Sequence, residues 1–380
     1  MHRTAGWVLC AASVLSAGGL MSGQDRPRAR DLGIAPGAGS QGALNAITDV
    51  AGVRVGHTTV VSGDSVRTGV TAILPHGGNL FREKVAGAVF IGNAFGKLAG
   101  STQVQELGTI ESPIVLTNTL SVGTALEATV RWTIAQPGNE NVRSVNALVG
   151  ETNDGGLNDI RGLHVTREHV VAAISAATDG AVQEGAVGAG TGTIAFGWKG
   201  GIGTSSRVVQ QQANRWTVGV LVQSNYGGRL TIAGVPVWRE LSPRGGRAAA
   251  AHAALSSPDG SCMIVVATDA PLDARDLERL AARAIFAMAR TGSTYSNGSG
   301  DFAIAFSTHP SLRMTDAPGP QARAVLPTDA VSGLFEAVLD ATEEAIYNSM
   351  LRATDTTGNG RTVRALPIDA LRETLKKYGR

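Results

Sequence analysis

The chain has only two cysteines in 380 residues, Cys10 and Cys262. Cys10 lies inside an apolar leader, so loss of that leader leaves one thiol and no internal disulfide. Cys262 then reads as a small buried hydrophobe, with a cysteine nucleophile as the lesser alternative. Aromatic residues make up 4% of the chain, and Lys plus Arg against Asp plus Glu is 33 against 31, a net charge of +2. Without a basic excess or a stacking platform, a nucleic-acid partner is excluded. There is no His-Glu-x-x-His, no Cys-x-x-Cys, no phosphate-binding glycine loop ending in Lys-Ser/Thr and no Gly-x-Ser-x-Gly elbow. The seven histidines are scattered without ligand spacing, so no metal site is expected. After the leader no apolar run reaches the length of a membrane span, so stable membrane insertion is not expected.

What is present suits a compact globular chain: 43% hydrophobic and 17% charged residues. The length is enough to bury a large core without staples. Glycine is abundant at 49 residues, clustered and without a three-residue period, which points to tight turns and close backbone approaches. Residues 1–24 carry His2 and Arg3, an apolar small-residue stretch from Ala5 to Met21, and a polar exit at Ser22-Gly23-Gln24, the pattern of a secretory signal peptide. The chain is therefore expected to be exported, to the periplasm.

Arg26 to Gly42 is rich in Pro, Gly and mixed charge and reads as a mobile arm. Beyond it, strand-like runs are expected at Val53–Val61, Ala88–Ile91, Val145–Val149, Thr217–Gln223, Cys262–Ala267 and Asp301–Ser307. Helical spacing covers Thr119–Ile134 and a segment capped by Thr166, with Val170, Val171 and Ile174 on one face. A third helix is capped by Asp273 and ended by Gly292, with Leu277, Leu280, Ala281, Ala284, Ile285 and Met288 as its buried stripe. A long helix runs from about Asp329 to Met350. Pro236–His252 is polar and basic, an exposed loop or a processing segment. The elements mix without a regular βαβ rhythm, which argues for α+β layers or an irregular α/β sandwich. Within the glycine block, Gly190-Thr191-Gly192-Thr193-Ile194-Ala195 matches only a loose dinucleotide pattern, with no strand before it and no helix after it.

Two polar clusters could carry chemistry. Pro258-Asp259-Gly260-Ser261-Cys262 stands directly before the clearest strand. Asp-Gly-Ser is turn chemistry, and an ordinary loop entering a strand explains it. The sharper reading is autoproteolysis. A serine after glycine can attack the preceding carbonyl, and hydrolysis of the resulting ester exposes a serine with a free α-amine. That amine, with a pKa near ~8, is a local base for its own hydroxyl. The second cluster is Ser296-Asn297-Gly298-Ser299-Gly300-Asp301, in which Ser299 and Asp301 share a face if the strand begins there. A polar turn explains it equally well. As a proton acceptor, Asp301 would need burial to raise its pKa from ~3.9.

Together these pieces resemble the β-aminopeptidase and L-aminopeptidase/D-esterase family of self-processing serine aminopeptidases, over roughly residues 43–375. The likeness is carried by Gly92-Asn93-Ala94-Phe95-Gly96-Lys97, Val149-Gly150-Glu151-Thr152-Asn153-Asp154-Gly155 with Leu157-Asn158-Asp159, and Gly200-Gly201-Ile202-Gly203-Thr204-Ser205-Ser206-Arg207. Val220-Leu221-Val222-Gln223-Ser224-Asn225-Tyr226-Gly227, Asp259-Gly260-Ser261, Asn297-Gly298-Ser299-Gly300-Asp301, and the closing Leu366-Pro367 and Leu371-Arg372 complete it. Each is weak alone; their joint order and spacing is specific.

The resemblance implies an αββα four-layer sandwich like that of N-terminal-nucleophile hydrolases. It implies cleavage between Gly260 and Ser261 into an α chain, 25–260, and a β chain, 261–380, that stay together, and assembly into a tetramer of such heterodimers. It implies Ser261 as nucleophile, Ser299 and Asp301 as supporting groups, Asn225 as the oxyanion amide, Glu151 as the carboxylate that receives the substrate's ammonium group, and Asn153 as a further substrate-binding residue. The implied substrates are short peptides, amides or esters losing an N-terminal residue, β-amino acids among them, with no metal or cofactor. Asp301 stands where β-peptide-cleaving members have glutamate. Asn153 stands where the D-esterase type has an aromatic residue, so the chain resembles the β-aminopeptidase branch more. Two other classes share some of these features: a pyruvoyl-dependent decarboxylase made by the same type of cleavage, and a non-catalytic exported binding protein.

Overall fold

The computed structural model describes residues 23–243 and 260–380. Most of the expected leader, and the part of Pro236–His252 from residue 244 onward, lie outside the described residues.

Two sheets form the middle of the molecule. The first has the order β1-β2-β6-β7-β4, built from β1 (Arg54–Ser62), β2 (Val66–Leu74), β4 (Leu98–Ala99), β6 (Ile114–Asn118) and β7 (Leu148–Thr152). The second has the order β10-β11-β12-β13-β3-β5. It is built from β3 (Val85–Ala94), β5 (Thr109–Ile110), β10 (Gly201–Gln211), β11 (Asn214–Asn225), β12 (Ser261–Thr268) and β13 (Gly300–Ser307). Small hairpins β8 (Ile194–Ala195)–β9 (Trp198–Lys199) and β14 (Thr356–Gly358)–β15 (Arg361–Val363) lie outside them. Pairing is antiparallel except for β6–β7 and β12–β13.

Side-chain alternation on the strands decides the layering. On β12, Met263, Val265 and Ala267 turn inward with Leu221, Phe302, Ile304 and Phe306, and meet Ile73, Leu116 and Leu148 of the first sheet. Cys262, Ile264 and Val266 turn outward onto α4 (Ala274–Thr291) and α5 (Ser332–Leu351), in one cluster with Leu280, Met288, Leu334 and Ile346. The outer face of the first sheet, through Val70, Ala72, Val115 and Val149, is covered by α2 (Val122–Ile134) and α3 (Arg167–Ser175). Three separate apolar seams between helix, sheet, sheet and helix make the expected αββα sandwich. A short α1 (Ser101–Leu107) and a C-terminal α6 (Ile368–Lys377) complete the chain. Among the described residues no helix is long and apolar enough to cross a membrane.

The helix caps fall where the sequence puts them: Asp273 accepts from the Asp276 N–H at 3.0 Å, and Gly292 ends α4 in the left-handed region. Two expectations are corrected. Val171 is exposed, so the buried face of α3 is Val170 and Ile174 with Ala173. The segment after Arg26 is bound rather than mobile. Arg26 donates to the Leu351 and Leu366 carbonyls, Arg28 pairs with Glu184, and Arg30 pairs with Glu344. Its arginines find buried acceptors that local composition does not reveal. Glu344 is also bound by Arg207 at 2.7 Å, both fully buried.

Candidate active site

The open ends of β11, β12 and β13 meet at one cleft of about 740 Å³. Ser261 is the first residue of β12, buried at 5% exposure, on the wall of this cleft. The antiparallel register sets it opposite Asn225, the last residue of β11, and the parallel register sets it beside Gly300, the first of β13. Ser299 and Asp301 therefore flank the residue next to Ser261. Gly300 N–H donates to the Gly260 carbonyl at 3.0 Å and makes a longer contact to Ser261 Oγ at 3.4 Å. One donor thus faces both the carbonyl that would be attacked and the oxygen that would attack it.

Gly260 is needed for its lack of a side chain. A Cβ there would stand 2.3 Å from the Asn225 carbonyl oxygen and 2.4 Å from Tyr226 Cα. The residue before Ser261 is thus pressed against the end of β11.

Ser299 donates to Asp301 Oδ1 at 2.9 Å, so the two do share a face. Burial pushes the Asp301 carboxyl up to about 6, opposed by hydrogen bonds from Ser299 and the Cys262 backbone. That burial supplies the basicity that an ordinary aspartate lacks. Cys262 points into the helix-side core, and burial raises its thiol well above the ordinary value, so it is a packing residue.

The Asn225 amide is fixed at both ends by backbone. Its Oδ1 accepts the Ile194 N–H at 2.8 Å and its Nδ2 donates to the Asn153 carbonyl at 2.9 Å. These partners determine which end is the nitrogen. Nδ2 has a second hydrogen, and Asn225 borders the cleft.

Glu151, at the end of β7, is 2% exposed and borders the same cleft. Its Oε1 accepts the Lys97 N–H at 3.0 Å, its Oε2 accepts the Thr119 hydroxyl, and the Lys97 ammonium stands 3.9 Å away. Asn153 is exposed on the cleft, where its side chain accepts the Gly155 N–H at 3.0 Å and its carbonyl anchors Asn225.

All the residues singled out from sequence are thus in or beside one cleft. Several others are not legible from sequence. Phe196, Trp198, Tyr226 and Trp238 form an aromatic wall. Phe196 and Gly197 turn the β8–β9 hairpin with positive φ of 53° and 81°, as a type I′ turn requires. Phe196 packs edge-on against Tyr226 at 5.0 Å. Lys97 and Thr119 hold Glu151, and the sequence reading gave neither of them a site role. Among the described residues no group of three or more His, Cys, Asp or Glu could hold a metal ion.

The pattern of peptidase family S58 matches residues 45–363. Beta-peptidyl aminopeptidase BapA of Sphingosinicella microcystinivorans is 44% identical, over 96% of both chains. Among solved structures, a Burkholderia sp. beta-aminopeptidase superposes with a TM-score of 0.83 at 39% identity, covering 93% of this chain and 99% of that one. The L-aminopeptidase D-Ala-esterase/amidase of Ochrobactrum anthropi, described as a prototype for the serine aminopeptidases and a variant of the N-terminal-nucleophile hydrolase fold, gives 0.85 at 38% identity with the same coverage.

Proposed function

The chain belongs to peptidase family S58 and is a serine aminopeptidase, and on that premise we propose that Ser261 is its nucleophile, freed by cleavage of its own Gly260–Ser261 bond. The observation that carries this reading is the register of three strands. It puts a serine, the only side-chain-free residue that fits before it, an amide and a hydroxyl–carboxylate pair around one end of β12.

In the self-cleavage step, Ser261 Oγ bonds to the Gly260 carbonyl carbon. The C–N bond breaks, the nitrogen takes the hydroxyl's proton, and an ester links Gly260 to Ser261 Oγ. The Gly300 N–H facing the Gly260 oxygen stabilises the charge that forms there. Water then hydrolyses the ester, leaving a carboxylate at Gly260 and an α-amine at Ser261. In the mature enzyme that amine takes the proton of the Ser261 hydroxyl as it attacks the substrate's carbonyl. Asn225 Nδ2 donates to the resulting oxyanion, worth roughly 3–4 kcal/mol for one such donor. Ser299 and Asp301 orient and relay protons, and water releases the acyl group.

Glu151 receives the substrate's ammonium, which joins or displaces Lys97 at the carboxylate. A buried carboxylate that pairs with the substrate's amine limits such a site to N-terminal residues. The match to beta-peptidyl aminopeptidases supports β-amino acids among the residues released. The two chains, 25–260 and 261–380, stay together because β12 and β13 are central strands of the second sheet. We carry forward, on the leader pattern and the family likeness, export to the periplasm and a tetramer of heterodimers. The test is hydrolysis of β-homoaminoacyl and α-aminoacyl p-nitroanilides beside their N-acetylated forms. The free amines should turn over and the acetylated compounds should not; equal turnover of both would end the aminopeptidase assignment of this cleft.

A further inference from the structure

Lys199 is a fully buried lysine that the reaction above does not use. It projects from β9, and its ammonium donates to three backbone carbonyls, those of Gly190, Thr193 and Gly200, each at 2.9 Å. A neutral amine has two hydrogens and cannot serve three acceptors, so this nest calls for the charged form. Burial drives the ammonium down to about 7, and the Asp154 carboxylate opposes that shift. Asp154 is itself buried at 1% exposure and accepts from Asn158 Nδ2 at 3.0 Å.

Each charge sits beside one of the two peptide groups that hold Asn225. The Thr193 carbonyl bound by Lys199 and the Ile194 N–H bound to Asn225 Oδ1 belong to the same peptide unit. The Asn153 carbonyl bound to Asn225 Nδ2 belongs to the peptide unit that Asp154 begins. Withdrawing electrons at the Thr193 oxygen strengthens the Ile194 N–H as a donor, because hydrogen bonds in a chain polarise one another. The ammonium also ties the glycine turn at 190, the residue before β8 and the residue after β9 to one point. The hairpin carrying Ile194 therefore has little freedom to move relative to β11.

We propose that the buried charges of Lys199 and Asp154, each beside a different one of the two peptide groups that hold Asn225, together position the Asn225 amide and aim Nδ2 at the developing oxyanion. The proposal rests on the reading of Asn225 as the oxyanion donor and adds two residues that never touch substrate.

The test is a double-mutant cycle in steady-state hydrolysis of an aminoacyl p-nitroanilide. Wild type, Lys199→Met, Asn225→Ala and the double variant are compared, all as purified two-chain protein verified by mass. Lys199→Met is expected to lower kcat by roughly 10²-fold, the scale of a small misplacement of a catalytic group, with KM nearly unchanged. In the Asn225→Ala background the same substitution should cost almost nothing further, because the group it positions is gone. Losses that multiply, or a loss confined to KM, would overturn the proposal, since a general structural lesion does not need Asn225 to act. Full kcat in Asn225→Ala alone would instead sink the oxyanion reading, a distinguishable result. Removing the lysine takes a charged donor from three buried carbonyls, so Asp154→Asn is run in parallel. It keeps the volume, and the same two arms decide the matter if Lys199→Met does not accumulate folded and cleaved.

Discussion

Asn225 and Ser261 are register partners at the open end of the β11–β12 ladder, and the Asn225 amide is locked by the Ile194 N–H on one side and the Asn153 carbonyl on the other. An amide held this way needs no reorganisation when negative charge appears beside Ser261. Replacing Asn225 with Ala is expected to lower kcat by about 10²–10³-fold with a small change in KM. Steady-state kinetics on the two-chain form checks this.

Gly260→Ala is expected to block self-cleavage. The new Cβ would stand 2.3 Å from the Asn225 carbonyl oxygen, a backbone atom that cannot move without breaking the ladder. The scissile carbonyl then leaves the Gly300 N–H. A denaturing gel should show one uncut chain where the wild type gives two.

Asp301 is expected to set both the acid limb of activity and a local cost in stability. Its folded-state pKa, about 6, lies above the ordinary aspartate value of 3.8 because of burial. Below about pH 6 the carboxyl is protonated and can no longer take up a proton through Ser299, so kcat/KM should fall there. The stability sign is the reverse. A raised pKa means the folded state holds the proton more tightly, so the favourable contribution is complete below pH 3.8 and is lost as pH rises through about 6. Asp301→Asn should therefore be inactive yet at least as stable as wild type at pH 7.5, by up to about 3 kcal/mol. Denaturant titrations at pH 5 and 7.5 test this, and a variant less stable at the higher pH would contradict it.

Glu151→Gln keeps one side-chain oxygen to accept the Lys97 N–H, puts an NH2 where Oε2 accepted the Thr119 hydroxyl so that this bond must reverse, and removes the charge. The expected effect is a rise in KM of roughly 10²-fold for substrates with a free amine, from the loss of one buried ion pair. Cleavage of Gly260–Ser261 should be untouched, because that substrate carries no ammonium.

How much of this was legible before the fold depended on where the information sits. Strand β12 and helix α4 announce themselves by an apolar run and by caps at Asp273 and Gly292, and both stand where expected. Strand β10 is not among the strands expected from sequence, although Gly200–Arg207 carries part of the family likeness. Its Thr204, Ser205, Ser206 and Arg207 are polar, and they are buried only because partners such as Glu184, Ala341, Asp49 and Glu344 arrive from distant parts of the chain. The same long-range pairing binds the arm after Arg26. For the site, Ser261, Ser299, Asp301, Asn225 and Glu151 were visible through family likeness, not through local physics, which offered turns as readily. Asp154 stands in the sequence only as one residue of a motif, and Lys199 carries no local signal at all. That the two flank the peptide groups holding Asn225 needs β8, β9 and β11 folded together.

The central claim is that Ser261 becomes a free N-terminus by its own chemistry. The direct measurement is intact-protein mass spectrometry of the purified wild type beside Ser261→Ala. The account predicts two chains in the wild type, the smaller beginning at Ser261 with an unmodified amine, and a single whole chain in the variant. One uncut wild-type chain, a cleaved Ser261→Ala, or a small chain whose terminus lacks the amine as a pyruvoyl group would contradict it.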